Sequence, residues 1–124
     1  MSRVKFTCEF RFKTSPAILY EFLTSPDCLT RWFCDDCTMT ETTYTFAWSG
    51  SEELAYILED IEEELLSLQW EDYPSEFLEF KIGSGEITGE TVLEVTAYCD
   101  HDEVKQEKTF WNTQITNMKH AMGL

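Results

Sequence analysis

The chain has 124 residues and a formal net charge of −15, from 24 acidic against 9 basic side chains. That length fits one domain spanning residues 1-124, with enough chain to bury a core without disulfides or metal, and an aromatic content of 15% means that rings must fill much of it. The acidic excess excludes nucleic acid and anionic membrane surfaces as partners, since both demand clustered Lys and Arg, while a basic protein partner remains compatible with it.

The first element is a strand. Val4, Phe6, Cys8, Phe10 and Phe12 alternate with Lys5, Thr7, Glu9, Arg11 and Lys13, the period of a half-buried extended segment. This N-terminal alternation is not the unbroken apolar run of a secretion signal. No stretch of about eighteen apolar residues occurs that could span a bilayer. A cytoplasmic location is therefore expected, with the five cysteines, Cys8, Cys28, Cys34, Cys37 and Cys99, as free thiols.

Ser15-Pro16 pairs an N-cap residue with a proline suited to the first helical position. It predicts a short helix with Ile18, Leu19, Phe22 and Leu23 on one face. Ser25-Pro26-Asp27 repeats the signal and opens a second short helix carrying Leu29, Trp32 and Phe33.

From Asp35 to Cys99 the pattern is mostly strand. Tyr44, Phe46 and Trp48 alternate up to Ser49-Gly50. Glu53 to Leu58 is apolar-rich but has two competing parities, Leu54, Tyr56 and Leu58 against Ala55 and Ile57. The acidic stretch Glu59–Glu64 that follows also carries helical propensity. Leu66, Leu68 and Trp70 alternate, then Leu78, Phe80 and Ile82 up to Gly83-Ser84-Gly85. A break at Thr88-Gly89 precedes the run of Leu93, Val95 and Ala97.

The final segment, about Asp102 to Met122, reads as one long helix. Val104, Trp111, Ile115, Met118 and Met122 recur at spacings of seven, four, three and four. Asp102 and Glu103 suit its positive end, Lys119 and His120 its negative end, and Gly123 its termination. Short turns between successive strands imply an antiparallel meander. One polar face per strand leaves one side of the sheet to be covered, and the long helix is available to cover it.

In this order the chain resembles the START-like (SRPBCC) superfamily, and within it short bacterial proteins near the AHSA-type branch of Hsp-ninety ATPase activators. The resemblance rests on Ser15-Pro16-Ala17-Ile18-Leu19-Tyr20, on Leu29-Thr30-Arg31-Trp32-Phe33 with Asp35-Asp36, on Thr45-Phe46-Ala47-Trp48-Ser49-Gly50, and on the closing Trp111 to Lys119. It implies an α+β helix-grip fold: a curved antiparallel sheet of six or seven strands around a long C-terminal helix, with two short helices after the first strand. It also implies a cavity between sheet and helix, with Trp32 and Phe33 near its mouth.

Alternation assigns Phe6, Phe10, Tyr44, Phe46 and Trp48 to the inward face, followed by Leu66, Leu68, Trp70, Phe80, Leu93 and Val95. Trp111, Ile115 and Met118 meet them from the helix. Two readings are open. These residues line an apolar pocket, with Tyr44 or an indole N–H fixing a ligand's polar end, or they pack into a solid core. No His, Arg, Lys, Asp or Glu falls on this assigned face, while Glu79 and Glu94 have outward parity, so no catalytic residue is assigned. Cys34-Asp35-Asp36-Cys37 has the spacing of a metal or redox pair but lacks a second such pair and a βαβ context. The acidic run lacks the glycine-bearing loop of a calcium site. No metal or cofactor is expected. The expected function is non-enzymatic binding of a small hydrophobic or amphipathic molecule. The alternatives are a chaperone-accessory-like protein-interaction module with a filled core and, third, a cyclase- or hydrolase-like enzyme.

Overall fold

Local signals start both short helices. The Ser15 hydroxyl oxygen accepts the Ile18 backbone N–H at 3.2 Å, and Pro16 occupies the first turn. The computed structural model describes residues 2–85 and 89–124. Its elements are β1 (Arg3–Phe12), α1 (Pro16–Thr24), α2 (Pro26–Leu29), β2 (Asp36–Met39), β3 (Thr43–Trp48), β4 (Ser51–Ile61), β5 (Leu65–Trp70), β6 (Phe77–Ser84), β7 (Thr91–Asp100), a 3-10 turn at His101–Glu103, and α3 (Val104–Met122).

The seven strands form one curved antiparallel sheet in the order β1-β7-β6-β5-β4-β3-β2. All neighbours but one are sequential. The exception is β1, which reaches across to pair Arg3 with Asp100 and Phe12 with Thr91. The β3–β4 connection is the two-residue turn Ser49-Gly50, with φ of 52° and 86°. Two positive φ values match the strand twist and favour glycine at the second position. The break read at Thr88-Gly89 falls partly outside the described residues, since only Gly89 is described, with φ of 69°.

The long helix lies where its stripe requires. Trp111, Ile115 and Met118 are buried in the hollow of the sheet and join one core with Phe46, Phe80, Leu93 and Val95. The middle and the C-terminal end of α3 are tied down. Gln114 Nε2 donates to the Trp32 carbonyl at 2.9 Å, Arg31 to the Ala121 carbonyl at 2.6 Å, and Lys119 Nζ stands 5.1 Å from the Phe12 ring centre. Gly123, at φ 83°, terminates the helix in the left-handed conformation.

Three details differ from the sequence reading. Ile18 is exposed, and α1 buries Leu19, Phe22 and Leu23 instead; these three lie within about 100° on a helical wheel, and Ile18 falls about 40° outside that arc. The second helix is a single turn ending at Leu29, so Trp32 and Phe33 follow it in a chain of turns whose N–H groups return to the Leu29 carbonyl. The acidic stretch is extended up to Ile61 and turns only at residues 62–64, with Glu63 at φ 63°.

Candidate functional site

The parity left open in β4 decides what faces the helix. Glu53 pairs with Phe46, Ala55 with both Tyr44 and Trp70, and Ile57 with Leu68. Ala55 is fully buried, whereas Tyr56 and Leu58 are exposed. A register shift between Ile57 and Glu59 then bulges Leu58 outward. The inward row of β4 is therefore Glu53, Ala55 and Ile57. It carries a small side chain opposite Trp70 and a carboxylate at its start.

A cavity of about 340 Å³ lies between the first turns of α3 and the ends of the central strands. Its walls are Phe33, Trp48, Trp70 and Trp111, with Leu78 and Ala97 below and Phe110 and Tyr73 near its rim. The rings form a continuous series. Trp48 lies 6.5 Å from Trp70 and 5.3 Å from Phe33, Phe33 stacks on Trp111 at 6.1 Å, and Trp111 meets Phe110 edge-on at 6.2 Å. Such contacts fix ring positions beyond simple area burial.

Charged groups enter this cavity from four parts of the chain: Glu53 from β4, Glu107 from α3, and the pair Arg3–Glu76 from β1 and the segment before β6. Arg3 grips Glu76 with two hydrogen bonds, at 2.7 and 2.9 Å, reaches Asp100 at 3.3 Å, and covers the Tyr73 ring at 5.3 Å. These carboxylates hold the Arg3 guanidinium well above its ordinary value, its hydrogen bonding to Glu76 being the largest cause. Among the described residues, neither Glu53 nor Glu107 forms an ion pair.

A second, more open recess of about 800 Å³ runs between the turns after α2 and the outer side of α3, past Arg31, Asp35, Gln114 and His120. It shares Phe33, Trp48 and Phe110 with the first.

The residues assigned to a pocket from sequence divide between wall and core. Trp48, Trp70 and Trp111 line the cavity, as does Phe33. Trp32 borders the outer groove, its indole N–H donating to the Phe22 carbonyl at 2.8 Å. Tyr44, Phe46, Leu68, Phe80, Val95, Ile115 and Met118 are packed in the solid core beneath, at most 2% exposed, and Phe10 is half-buried on β1. The expected polar handles are largely engaged by the protein. The Tyr44 hydroxyl donates to the Thr24 carbonyl at 2.7 Å, and Trp48 Nε1 to the Phe33 carbonyl at 2.7 Å. No hydrogen bond from the indole N–H of Trp70 or Trp111 occurs among the described residues, and no buried side-chain nitrogen or oxygen among them lacks a partner.

Sequence reasoning did not find Glu53, Glu107 or the Arg3–Glu76 pair. A signal existed for two of them: Glu107 precedes Trp111 by one helical turn, and Glu53 shares parity with Ala55 and Ile57. Arg3–Glu76 bridges 73 residues of sequence, and nothing local announces it.

Cys34 and Cys37 are buried neighbours. Burial first, then the nearby Cys37 thiol and Asp35 and Asp36, pushes the Cys34 thiol up to about 12. A thiol held protonated is a poor nucleophile or metal ligand. Among the described residues no three His, Cys, Asp or Glu side chains gather as a metal-binding group. His101 and His120 are both exposed.

Comparison with known proteins bears on this architecture. The START-like superfamily domain matches residues 1–124. The Aha1 dimer from Colwellia psychrerythraea superposes with a TM-score of 0.80 at 20% identity, over 95% of each chain. BfR322 from Bacteroides fragilis superposes at 0.69 with 28% identity, over 100% of this chain and 94% of that one. DynU16, from the dynemicin biosynthetic locus, superposes at 0.80 with 16% identity, over 96% of this chain and 47% of that one. No functionally curated protein matches the sequence.

Proposed function

Because this chain belongs to the START-like superfamily, whose fold commonly binds hydrophobic ligands, we propose that it holds a small hydrophobic or amphipathic molecule between its sheet and α3 without transforming it. The observation that carries this reading is the ring-walled cavity bounded by Trp48, Trp70, Trp111 and Phe33. At about 340 Å³ it sits at the small end of the range for small-molecule sites, which pair apolar walls with a few polar groups. Burying a ring-sized ligand there would bring roughly 25 cal/mol for each Å² of apolar surface withdrawn from water.

The lining also supports binding over catalysis. Among its described residues none is His or Cys, and Glu76 is already committed to Arg3. Proton transfer needs a group free to exchange its proton with the substrate; among the described lining residues the carboxylates of Glu53 and Glu107 and the phenols of Tyr73 and Tyr98 remain. Among the described residues no helix is long and apolar enough to cross a membrane.

The test is native mass spectrometry on protein purified without denaturant, read beside ligand titrations of the cavity-closing variant Ala97→Phe. Ala97 lines the cavity on β7, so the larger side chain should occupy the ligand's space. A co-purifying mass released on unfolding, or small apolar ligands that bind the parent and not the variant, is expected. A bare mass together with no ligand response in either protein refutes the reading.

The protein-interaction alternative has one observation in its favour. Phe110 is 48% exposed on the ridge between the two recesses. It predicts that Phe110→Ser abolishes partner capture while small-ligand binding by the cavity is absent.

A further inference from the structure

We propose that the cavity selects an organic cation: a compact molecule with a tertiary or quaternary ammonium group attached to an apolar body. This rests on the reading of the cavity as a ligand site and adds the charge of the ligand.

The argument is one of complementarity. The cavity brings three indole rings and Phe33 to one space, and it is bordered by three carboxylates, Glu53, Glu76 and Glu107, against one guanidinium. Arg3 is neutralised by Glu76 at 2.7 Å and further held by Asp100. What remains for a ligand is Glu53 on the sheet side and Glu107 on the helix side, neither in an ion pair among the described residues. An anionic ligand would face two uncompensated carboxylates, and a neutral one would leave them unused. A cation satisfies both, and its charge is attracted by aromatic faces, indole most of all. Partial enclosure strengthens the attraction at the half-buried Glu107, where the walls lower the local dielectric, while Glu53 stands exposed at the mouth. The protein's net charge of −15 adds long-range attraction in the same direction.

Size narrows the class. A space of about 340 Å³ accommodates an ammonium group with one ring or a short chain, and it has no room for a two-chain lipid.

Three probes of matched shape test this: benzyltrimethylammonium, benzyl alcohol and benzenesulfonate, titrated into the whole chain and followed through the indole N–H resonances of Trp70 and Trp111. The cation is expected to bind at least tenfold more tightly than the alcohol, and the sulfonate not at all. The pair Glu53→Gln/Glu107→Gln should weaken the cation about tenfold and leave the alcohol unchanged. The pair Glu62→Gln/Glu63→Gln, at the far β4–β5 turn, removes the same charge and should leave the preference intact. The proposal is overturned if the alcohol binds as well as the cation, if the preference survives the first pair, or if it is lost equally in the second, which would make it a bulk-charge effect. Binding of the alcohol without preference would still leave the ligand-site reading standing, whereas silence from all three probes, with Ala97→Phe indistinguishable from the parent, would remove both.

Discussion

Replacing Trp111 with alanine tests whether the sheet truly grips the helix. Trp111 is 5% exposed and meets Trp32, Phe33, Phe80 and Phe110, with ring centres at 6.5, 6.1, 6.1 and 6.2 Å. A buried tryptophan withdraws on the order of 200 Å² from water, or about 5 kcal/mol at roughly 25 cal/mol per Å². The alanine methyl retains part of this, and a compact unfolded chain removes a further fraction. Lost ring contacts and the enlarged void act in the opposite direction. The net expectation is a loss of about 3–5 kcal/mol. A domain of this size holds roughly 5–15 kcal/mol, so the variant should fold, with Tm lowered by about 10–20 °C. Phe110→Ala is the internal comparison: it shares the same helix turn but is 48% exposed and should cost under about 1 kcal/mol. Urea titration followed by far-ultraviolet circular dichroism measures both without depending on tryptophan emission. Equal losses in the two variants, or a Trp111→Ala cost below about 1.5 kcal/mol, would refute a helix clamped in the hollow.

Further expectations concern charge, pH and turn chemistry. Arg3→Ala leaves the Glu76 carboxylate, 8% exposed, without its bidentate partner; because Arg3 itself is partly exposed, a cost of about 1–2 kcal/mol is expected, and the double variant with Glu76→Gln should recover part of it in a denaturation cycle. Cys34 ionises near 9 when unfolded and near 12 when folded, and burial likewise raises Tyr44 above its ordinary value. The neutral forms are thus favoured by folding, so stability should be unaffected below about pH 9 and fall progressively as pH rises toward 12; thermal melts across that range check this, and a Cys34→Ser variant should show a shallower decline. Ser49→Asn should raise stability by a few tenths of a kcal/mol, since asparagine tolerates the positive φ of 52° better than serine, whereas Gly50→Val, at φ 86°, should lose about 1–2 kcal/mol in the same melts.

The contrast between β1 and β4 shows what was legible in the chain. β1 has polar residues on one face and apolar residues on the other, so its alternation has a single solution. β4 offers two, and the choice falls to its neighbours: Ala55 fits beneath Tyr44 and Trp70, where a larger residue would collide, and a bulge then sends Leu58 outward. The α3 stripe was legible because Trp111, Ile115 and Met118 share one helical face, and that stripe with its end signals fixed where the helix runs. The cavity was not. A tryptophan that fills space and one that borders space have the same pattern in sequence, and Trp48, Trp70 and Trp111 border an open space that they share with the small Ala97 of β7. Their polar partners were equally hidden, since Arg3 and Glu76 meet only once the sheet has closed β1 onto β7.

That last pairing constrains how the molecule comes to exist. Strand β1 has one neighbour, and its first residue waits for Asp100. During synthesis the earliest strand therefore emerges with no one to pair with, while β2 to β6 can zip up as successive hairpins. Contacts between distant parts of a chain are slow to form and leave sticky segments uncovered in the meantime. Arg3, Lys5 and Arg11 outnumber Glu9 along that orphan ribbon and give it a net positive charge with which to repel its own copies until β7 arrives.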